Sequence, residues 1–250
     1  MSTDILSDQA YSGDDLGFVK YADVFSDIIQ NTNELPFTIG IFGDWGSGKT
    51  TLMRMIREQV GKTCKTIWFN AWKYDDKQYL TKALLKTIHD EAMKSTDINT
   101  EIIKDVLKRA ADFTGQAFTG KKLGTMFFET FNLDPAYRNL VEEATHEIIR
   151  EYVGKDGRLV IFIDDLDRCL PENTITVLEA IKLYLDNEQC VIVLGVDRDS
   201  IEIAIEQRYP KMKITGKDYL EKIVQIPFGI PQPDKKLMRN FLQKCSLPTG

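Results

Sequence analysis

The chain has 250 residues, of which 43% are hydrophobic and 28% are charged. This composition is ordinary for a folded domain with a sizeable core, and the length suits one large α/β domain or two small ones. The formal net charge of -6 and the acidic pI argue against a protein that coats nucleic acid, so we expect no general nucleic-acid binding. The scattered cysteines have no CxxC spacing, which indicates neither a zinc site nor a disulfide framework and favours reduced thiols in the cytosol.

Residues 1–35 are predicted to form an N-terminal helical lead-in. Apolar side chains from Phe18 to Ile29 recur at helical spacing, which predicts an amphipathic helix there. Phe18 and Val19 are candidates to contact a nucleotide base, with packing in the core as the favoured alternative.

A glycine-rich loop follows the next predicted strand. Pro36 to Phe42 is short, apolar and rich in β formers, whereas residues 50–60 have helical spacing and end before Gly61. Between them lies a complete G-x-x-x-x-G-K-[ST] pattern, in the strand–loop–helix context that a phosphate-binding loop requires. Backbone N–H groups at the helix N-terminus would hold the phosphates of a nucleotide. The predicted binding residues are Gly43, Asp44, Trp45, Gly46, Ser47, Gly48, Lys49, Thr50 and Thr51.

Two residues of this loop have distinct predicted roles. Lys49 would reach the β- and γ-phosphates and so act in catalysis, and the Thr50 hydroxyl would ligate Mg²⁺.

The second predicted strand, Lys65 to Trp72, ends in polar or aromatic side chains at the edge where parallel sheets bind ligands. Asn70 could orient a water there, and Trp72 is either a ligand contact or a core aromatic.

Residues 73–157 are predicted to be a helical insertion, because a parallel crossover needs far fewer residues. Amphipathic helices are predicted over 79–93, 98–111 and 135–153. The aromatic stretch 113–131 contains Lys121, Lys122 and Glu129, so it is too interrupted to span a membrane. Burial within the fold is favoured over contact with a partner or a lipid surface.

An apolar run that ends in acids begins at Arg158 and predicts a central, doubly buried strand. A carboxylate at its tip is costly to bury without a cation, so we expect Asp164 to ligate Mg²⁺ together with Thr50. Asp165 would orient or activate a water against the γ-phosphate. Asp167 and Arg168 are predicted to form a surface ion pair.

The remaining elements complete an α/β pattern. Cys190 to Val196 predicts a fourth strand, and the residues after it, Asp197 and Arg198, would lie beside the phosphate loop, where Arg198 is a candidate catalytic residue. A helix is predicted over 200–209, with Arg208 as a candidate arginine finger for a neighbouring subunit. Residues 222–228 predict a fifth strand, and 234–245 predict a helix within a C-terminal helical region starting at 231.

Four blocks of this sequence resemble the KAP family of P-loop NTPases. They are FGDWGSGKTT at 42–51, WFNAWKY at 68–74, DDLDRCLP at 164–171 and YLEKIVQIPF at 219–228. The resemblance implies an ASCE-division P-loop NTPase fold: a three-layer α/β sandwich with a parallel five-stranded sheet in the order 5-1-4-3-2, formed by 36–72 and 158–230. It implies ATP as the nucleotide, in agreement with the lack of an Asn-Lys-x-Asp guanine motif.

The resemblance also bears on location and biology. Many relatives carry transmembrane helices between strands two and three and act at the inner membrane face, and bacterial relatives are linked with phage exclusion. Since no membrane span is predicted here, we expect a cytoplasmic protein, with peripheral contact at that membrane face as the alternative. Relatives continue into a helical region after the fifth strand, which implies that this chain is a fragment.

We therefore predict a slow Mg²⁺-dependent ATPase that acts as a switch towards a protein partner or its own oligomer. The alternatives are a scaffold that binds ATP without hydrolysing it and, less favoured, a small-molecule kinase.

Overall fold

The structure is a computed structural model that describes residues 17–74, 80–95, 101, 138–186, 189–210 and 215–232. The helices predicted over 98–111 and 234–245, the aromatic stretch 113–131 and the first part of the lead-in lie outside the described residues, apart from Glu101. The strands are β1 (Phe37–Phe42), β2 (Lys65–Asn70), β3 (Leu159–Asp164), β4 (Cys190–Val196) and β5 (Ile226–Gly229). The helices are α1 (Val19–Asn31), α2 (Lys49–Val60), α3 (Leu80–Lys94), α4 (Arg138–Val153), α5 (Pro171–Tyr184), α6 (Arg198–Arg208) and α7 (Gly216–Ile223).

All strand pairs of the sheet are parallel, and the strands lie in the order β5-β1-β4-β3-β2. This is the order predicted from the sequence, which is confirmed. Because parallel strands place their carboxyl ends at one edge, the residues that follow them meet there. Asn70 pairs with Asp164, and Phe42 pairs with Val196 just before the glycine-rich loop.

The sheet is buried between two layers of helices. Alternate side chains of β1, β3 and β4 point towards α1 and α2, where Phe162 and Ile39 belong to one apolar cluster. The opposite side chains of β2, β3 and β4 join a larger cluster with α3, α4, α5, α6 and α7. Strands β1, β3 and β4 are buried along their whole length, as their continuous apolar runs predict.

Helix α1 connects two distant parts of the fold. Phe18, just before its first residue, is buried and lies against the glycine-rich loop. At its other end, the Arg158 guanidinium donates hydrogen bonds to the backbone oxygens of Ile29 and Thr32. These bonds satisfy carbonyl groups at a helix C-terminus with a cation, the sign of charge that a C-terminus favours.

Three predicted boundaries are wrong. Strand β2 ends at Asn70, and Trp72 lies in a 3₁₀ turn (Ala71–Tyr74) with 52% of its surface exposed, so it is not a core aromatic. The fifth strand begins at Ile226 rather than at Lys222, because residues 216–223 form α7. Helix α6 begins at Arg198, two residues before the predicted start.

Candidate nucleotide-binding site

The glycine-rich loop runs from the end of β1 into the N-terminus of α2. Gly46 and Gly48 have φ angles of 79° and 96°, the left-handed region that favours glycine. An added Cβ at Gly43 would lie 2.5 Å from Ser47 Oγ, so the Ser47 side chain would have to move to make room for it. Asp44 and Trp45 are exposed, and Thr51 is half-buried in the first turn of α2. The loop therefore brings its backbone close to the helix N-terminus, as an anion site requires.

The Lys49 side chain folds back over this loop. Its ammonium group donates hydrogen bonds to the backbone oxygens of Gly43 at 2.7 Å and Asp44 at 3.1 Å. The same nitrogen lies 3.5 Å from Asp167 Oδ2, and both of these side chains are largely buried. Lys49 is thus held at the mouth of the loop by two carbonyl groups and one carboxylate.

Thr50 and Asp164 meet across the gap between α2 and β3. The Thr50 hydroxyl donates to Asp164 Oδ2 at 2.9 Å, and the backbone N–H of Asp165 donates to Asp164 Oδ1 at 3.0 Å. Asp164 is only 3% exposed. Burial, followed by the negative charge of Asp165, raises the pKa of Asp164 to about 6 against the opposing hydrogen bond from Thr50.

Asp165 lies at the start of a 3₁₀ turn (Leu166–Arg168), with a left-handed backbone at φ 57°. Asn70 Nδ2 donates to its Oδ2 at 2.6 Å, and Arg168 Nε lies 2.8 Å from its Oδ1. Both carboxylate oxygens therefore have partners. The side chain that the sequence predicted to orient water, Asn70, lies beside the predicted water-orienting acid.

The predicted surface ion pair between Asp167 and Arg168 is wrong. Asp167 contacts Lys49 and also accepts a hydrogen bond from the backbone N–H of Asp197 at 2.9 Å. The reason is the 3₁₀ turn, which directs consecutive side chains to different neighbours, so that Arg168 pairs with Asp165 instead. The sequence reasoning named both residues but missed their partners and their place at this site. Their spacing of three and four residues from Asp164, within a turn at the strand tip, is the signal that could have indicated them.

Two exposed tryptophans flank Arg168. The guanidinium carbon lies 5.1 Å from the ring centre of Trp45 and 5.3 Å from that of Trp72. Trp45 belongs to the glycine-rich loop and is 76% exposed, whereas Trp72 follows β2. A cation within about 6 Å of an aromatic face is attracted by the ring quadrupole.

The predicted arginines at α6 lie on its two ends. Arg198 Nε donates to Glu202 at 2.8 Å, and its guanidinium lies 5.5 Å from the ring centre of Phe42, the last residue of β1. It is therefore close to the start of the loop but paired within its own helix. Asp197 caps α6 by accepting from the Ser200 N–H at 2.8 Å. Arg208 lies at the other end of α6, beside the Tyr209 ring and exposed.

Within the described ranges, no group of three or more His, Cys, Asp and Glu side chains forms a metal cage. A Mg²⁺ ion bound with a nucleotide needs only one or two protein oxygens, because phosphates and waters complete its octahedron. Thr50 and Asp164 supply two such oxygens in contact with each other. In the same part of the chain, no helix has the length and apolar character that crossing a membrane requires.

Parts of this chain are similar in sequence to known proteins. The phage T7 exclusion protein of Escherichia coli K12 is 32% identical over 101 residues, a match to 40% of this chain and 13% of that protein. An uncharacterised protein of Methanocaldococcus jannaschii is 26% identical over 159 residues, covering 46% of this chain and 81% of the relative. The chain thus spans only a small part of the exclusion protein.

Among solved structures, the Aeropyrum pernix ORC1 protein in complex with DNA superposes with a TM-score of 0.51. The match covers 98% of this chain and 53% of that one at 14% identity, so it concerns the fold alone. The model of the KAP family P-loop domain matches residues 18–249, which include every strand described above. The chain therefore belongs to the KAP family of P-loop NTPases.

Proposed function

We propose that this domain binds Mg²⁺·ATP and hydrolyses it slowly, as a switch. The observation that carries the proposal is the 2.9 Å hydrogen bond between the Thr50 hydroxyl and Asp164, at the mouth of a loop that ends in Lys49. These groups come from α2 and β3, and their convergence at the carboxyl edge of the sheet is what a nucleotide–metal site requires.

The residues present fit a divalent cation. Asp164 is buried beside Asp165, and burial, followed by the negative charge of Asp165, raises its pKa, so a bound cation would favour its charged form. In this proposal Thr50 and Asp164 hold Mg²⁺, which when bound neutralises charge on the β- and γ-phosphates. Ser47 Oγ is buried and has no hydrogen-bond partner within the described part of the chain, so it can donate to a phosphate oxygen.

Phosphate binding would fall to the loop from Gly43 to Thr51. Its N–H groups and the Lys49 ammonium would bind the β- and γ-phosphates, and the ammonium would give up one of its contacts to Gly43, Asp44 and Asp167 to do so. Asp165 would accept a hydrogen bond from the attacking water and orient it in line with the γ-phosphate. Arg198 is proposed as a residue that senses the γ-phosphate, after release from Glu202.

We further propose that the nucleotide state acts on a protein partner or a second copy, through residues 73–157 or the chain from 231 onward. The relationship to the phage T7 exclusion protein supports a role in excluding phage. A cytoplasmic location with optional contact at the inner membrane face belongs to the same proposal.

Phosphate release tests the proposal. Wild type should release phosphate from ATP in a Mg²⁺-dependent way, and Lys49→Ala should abolish both tight binding and release. Asp165→Asn should still bind ATP while losing hydrolysis by about a hundredfold or more. Equal rates for wild type and Lys49→Ala would contradict the ATPase function. ATP binding without phosphate release by wild type would instead identify a scaffold.

A further inference from the structure

Arg168 connects the glycine-rich loop to Asp165. We propose that it is a positioning residue for hydrolysis: its guanidinium, held between Trp45 and Trp72, fixes the orientation of the Asp165 carboxylate. The inference rests on the ATPase function proposed above. It goes further in assigning the loop tryptophan and this arginine to the regulation of turnover.

The Asp165 carboxylate is held at both of its oxygens. Arg168 Nε lies 2.8 Å from Oδ1, and Asn70 Nδ2 donates to Oδ2 at 2.6 Å, so the two oxygens are held from two sides. A carboxylate that accepts one bond at each oxygen still has lone pairs for a water. Its orientation is therefore restrained while its capacity to accept from water remains.

The indole rings of Trp45 and Trp72 both contact the Arg168 guanidinium. Trp45 is 76% exposed and Trp72 is 52% exposed, so burial of their own surfaces contributes little to ordering them. Each ring centre lies within 5.3 Å of the Arg168 guanidinium carbon. The planar, delocalised guanidinium can lie against aromatic faces while its N–H groups bond a carboxylate, which an ammonium cannot do equally well.

Trp45 links Arg168 to the glycine-rich loop. Trp45 lies between the exposed residues Asp44 and Gly46 of the loop, and Gly46 has a left-handed backbone. A rearrangement of this loop around phosphates would move the Trp45 ring and, through Arg168, the Asp165 carboxylate. Asp165 would then reach its working orientation only when the loop has closed on a nucleotide.

The test compares Arg168→Ala with Arg54→Ala in steady-state phosphate release. Arg54 is the matched control, because its guanidinium also lies near a tryptophan, 6.0 Å from the ring centre of Trp68. Arg54 belongs to α2, outside the glycine-rich loop. Arg168→Ala should lower kcat by roughly tenfold to a hundredfold, with the KM for ATP within about twofold of wild type. Arg54→Ala should leave both constants unchanged.

A double-mutant cycle tests the link to the loop. Trp45→Leu should also lower kcat, and Trp45→Leu combined with Arg168→Ala should be no slower than the slower single variant. If Arg168→Ala does not fold, Trp45→Leu alone carries the test, because that side chain is mostly exposed.

The outcomes separate the two proposals. If wild type hydrolyses ATP but Arg168→Ala behaves like Arg54→Ala, the positioning role is overturned and the ATPase function stands. The same holds if the fold-losses in kcat of Trp45→Leu and Arg168→Ala multiply in the double variant. If wild type releases no phosphate, the ATPase function fails and the positioning role fails with it.

Discussion

The Lys49 ammonium lies 3.5 Å from the Asp167 carboxylate, at the mouth of the glycine-rich loop. Asp167 also accepts the backbone N–H of Asp197, so it joins the loop to the end of β4. The acid therefore has two effects on this site. It gives a largely buried lysine a counter-charge, and it places a negative charge where a triphosphate would bind.

We expect Asp167→Asn to tighten the binding of ADP in Mg²⁺-free buffer by about three- to tenfold, since one repulsive charge near the phosphates is removed. An asparagine oxygen can still accept from Asp197. The free energy of unfolding should fall by about 1–3 kcal/mol, because Lys49 loses its counter-charge in a mostly buried position. A fluorescent ADP analogue and urea unfolding measure the two effects.

The control for Asp167→Asn is Asp199→Asn, which removes one exposed charge in the first turn of α6. It should change the affinity for ADP by less than about twofold, since an exposed charge is screened by solvent. Weaker ADP binding by Asp167→Asn would show that Asp167 positions Lys49 rather than opposing the phosphates.

Gly48→Ala should lower the free energy of unfolding by more than the unfavourable backbone angle of residue 48 alone would. Its φ of 96° is unfavourable for alanine, and the new Cβ would lie 2.5 Å from the Phe18 ring. Gly154 has a similar φ of 78°, but among the described residues no atom beyond its chain neighbours lies within 4 Å of an added Cβ, so Gly154→Ala measures the backbone cost, about 1–2 kcal/mol. Gly48→Ala should cost more in urea unfolding and also weaken nucleotide binding.

Phe18→Ala should partly rescue Gly48→Ala, because it removes the ring that the new methyl group meets. Additive losses in the double variant would mean that α1 and the loop do not share this contact in solution. The measurement is again a urea unfolding curve for each single variant and for the double variant.

His89 predicts a pH dependence of stability. Burial lowers the pKa of His89 below its ordinary value of 6.5, against the opposing effect of Asp90. The unfolded chain therefore takes up a proton at a higher pH than the folded chain does. The free energy of unfolding should fall as the pH drops through about 6.5 towards the lower folded pKa. In His89→Gln this fall should be smaller, and an identical pH profile for the two proteins would contradict the prediction.

Cys190 should resist thiol reagents in the folded protein. Its side chain is fully buried in β4, and burial raises its pKa to about 12. The reactive thiolate is therefore a very small fraction of the protein at pH 8. Labelling followed by mass spectrometry should modify the half-buried Cys64 before Cys190, which should react only after denaturant is added. Equal labelling rates in native buffer would contradict the packing of this strand.

Much of the fold followed from short-range patterns. The apolar runs before Gly43 and Asp164 predicted β1 and β3, because strands buried on both faces have no polar alternation. The loop motif predicted the start of α2 to within one residue. The strand order came with the family resemblance, since neither composition nor periodicity determines which parallel strands are neighbours.

Each error has its own local cause. Helix α7 was not predicted because it is short, with only eight residues. Its start depends on a capping box between Thr215 and Asp218. The end of β2 was misplaced because the apolar pattern continues into the 3₁₀ turn around Trp72. The partners of Asp167 and Arg168 depend on that turn and on the turn after Asp164, and periodicity cannot resolve contacts between two loops.

Helix α1 has a mechanical consequence for signalling between remote ends of the domain. One end lies against Gly48 through Phe18, and the other is bound by Arg158, where the chain re-enters the sheet after residues 73–157. This helix of 13 residues is about 20 Å long, so it connects two points of the domain that lie about that far apart. If phosphates bind at the loop as proposed, α1 offers a packed connection from that loop to the base of the insertion that does not pass through the sheet.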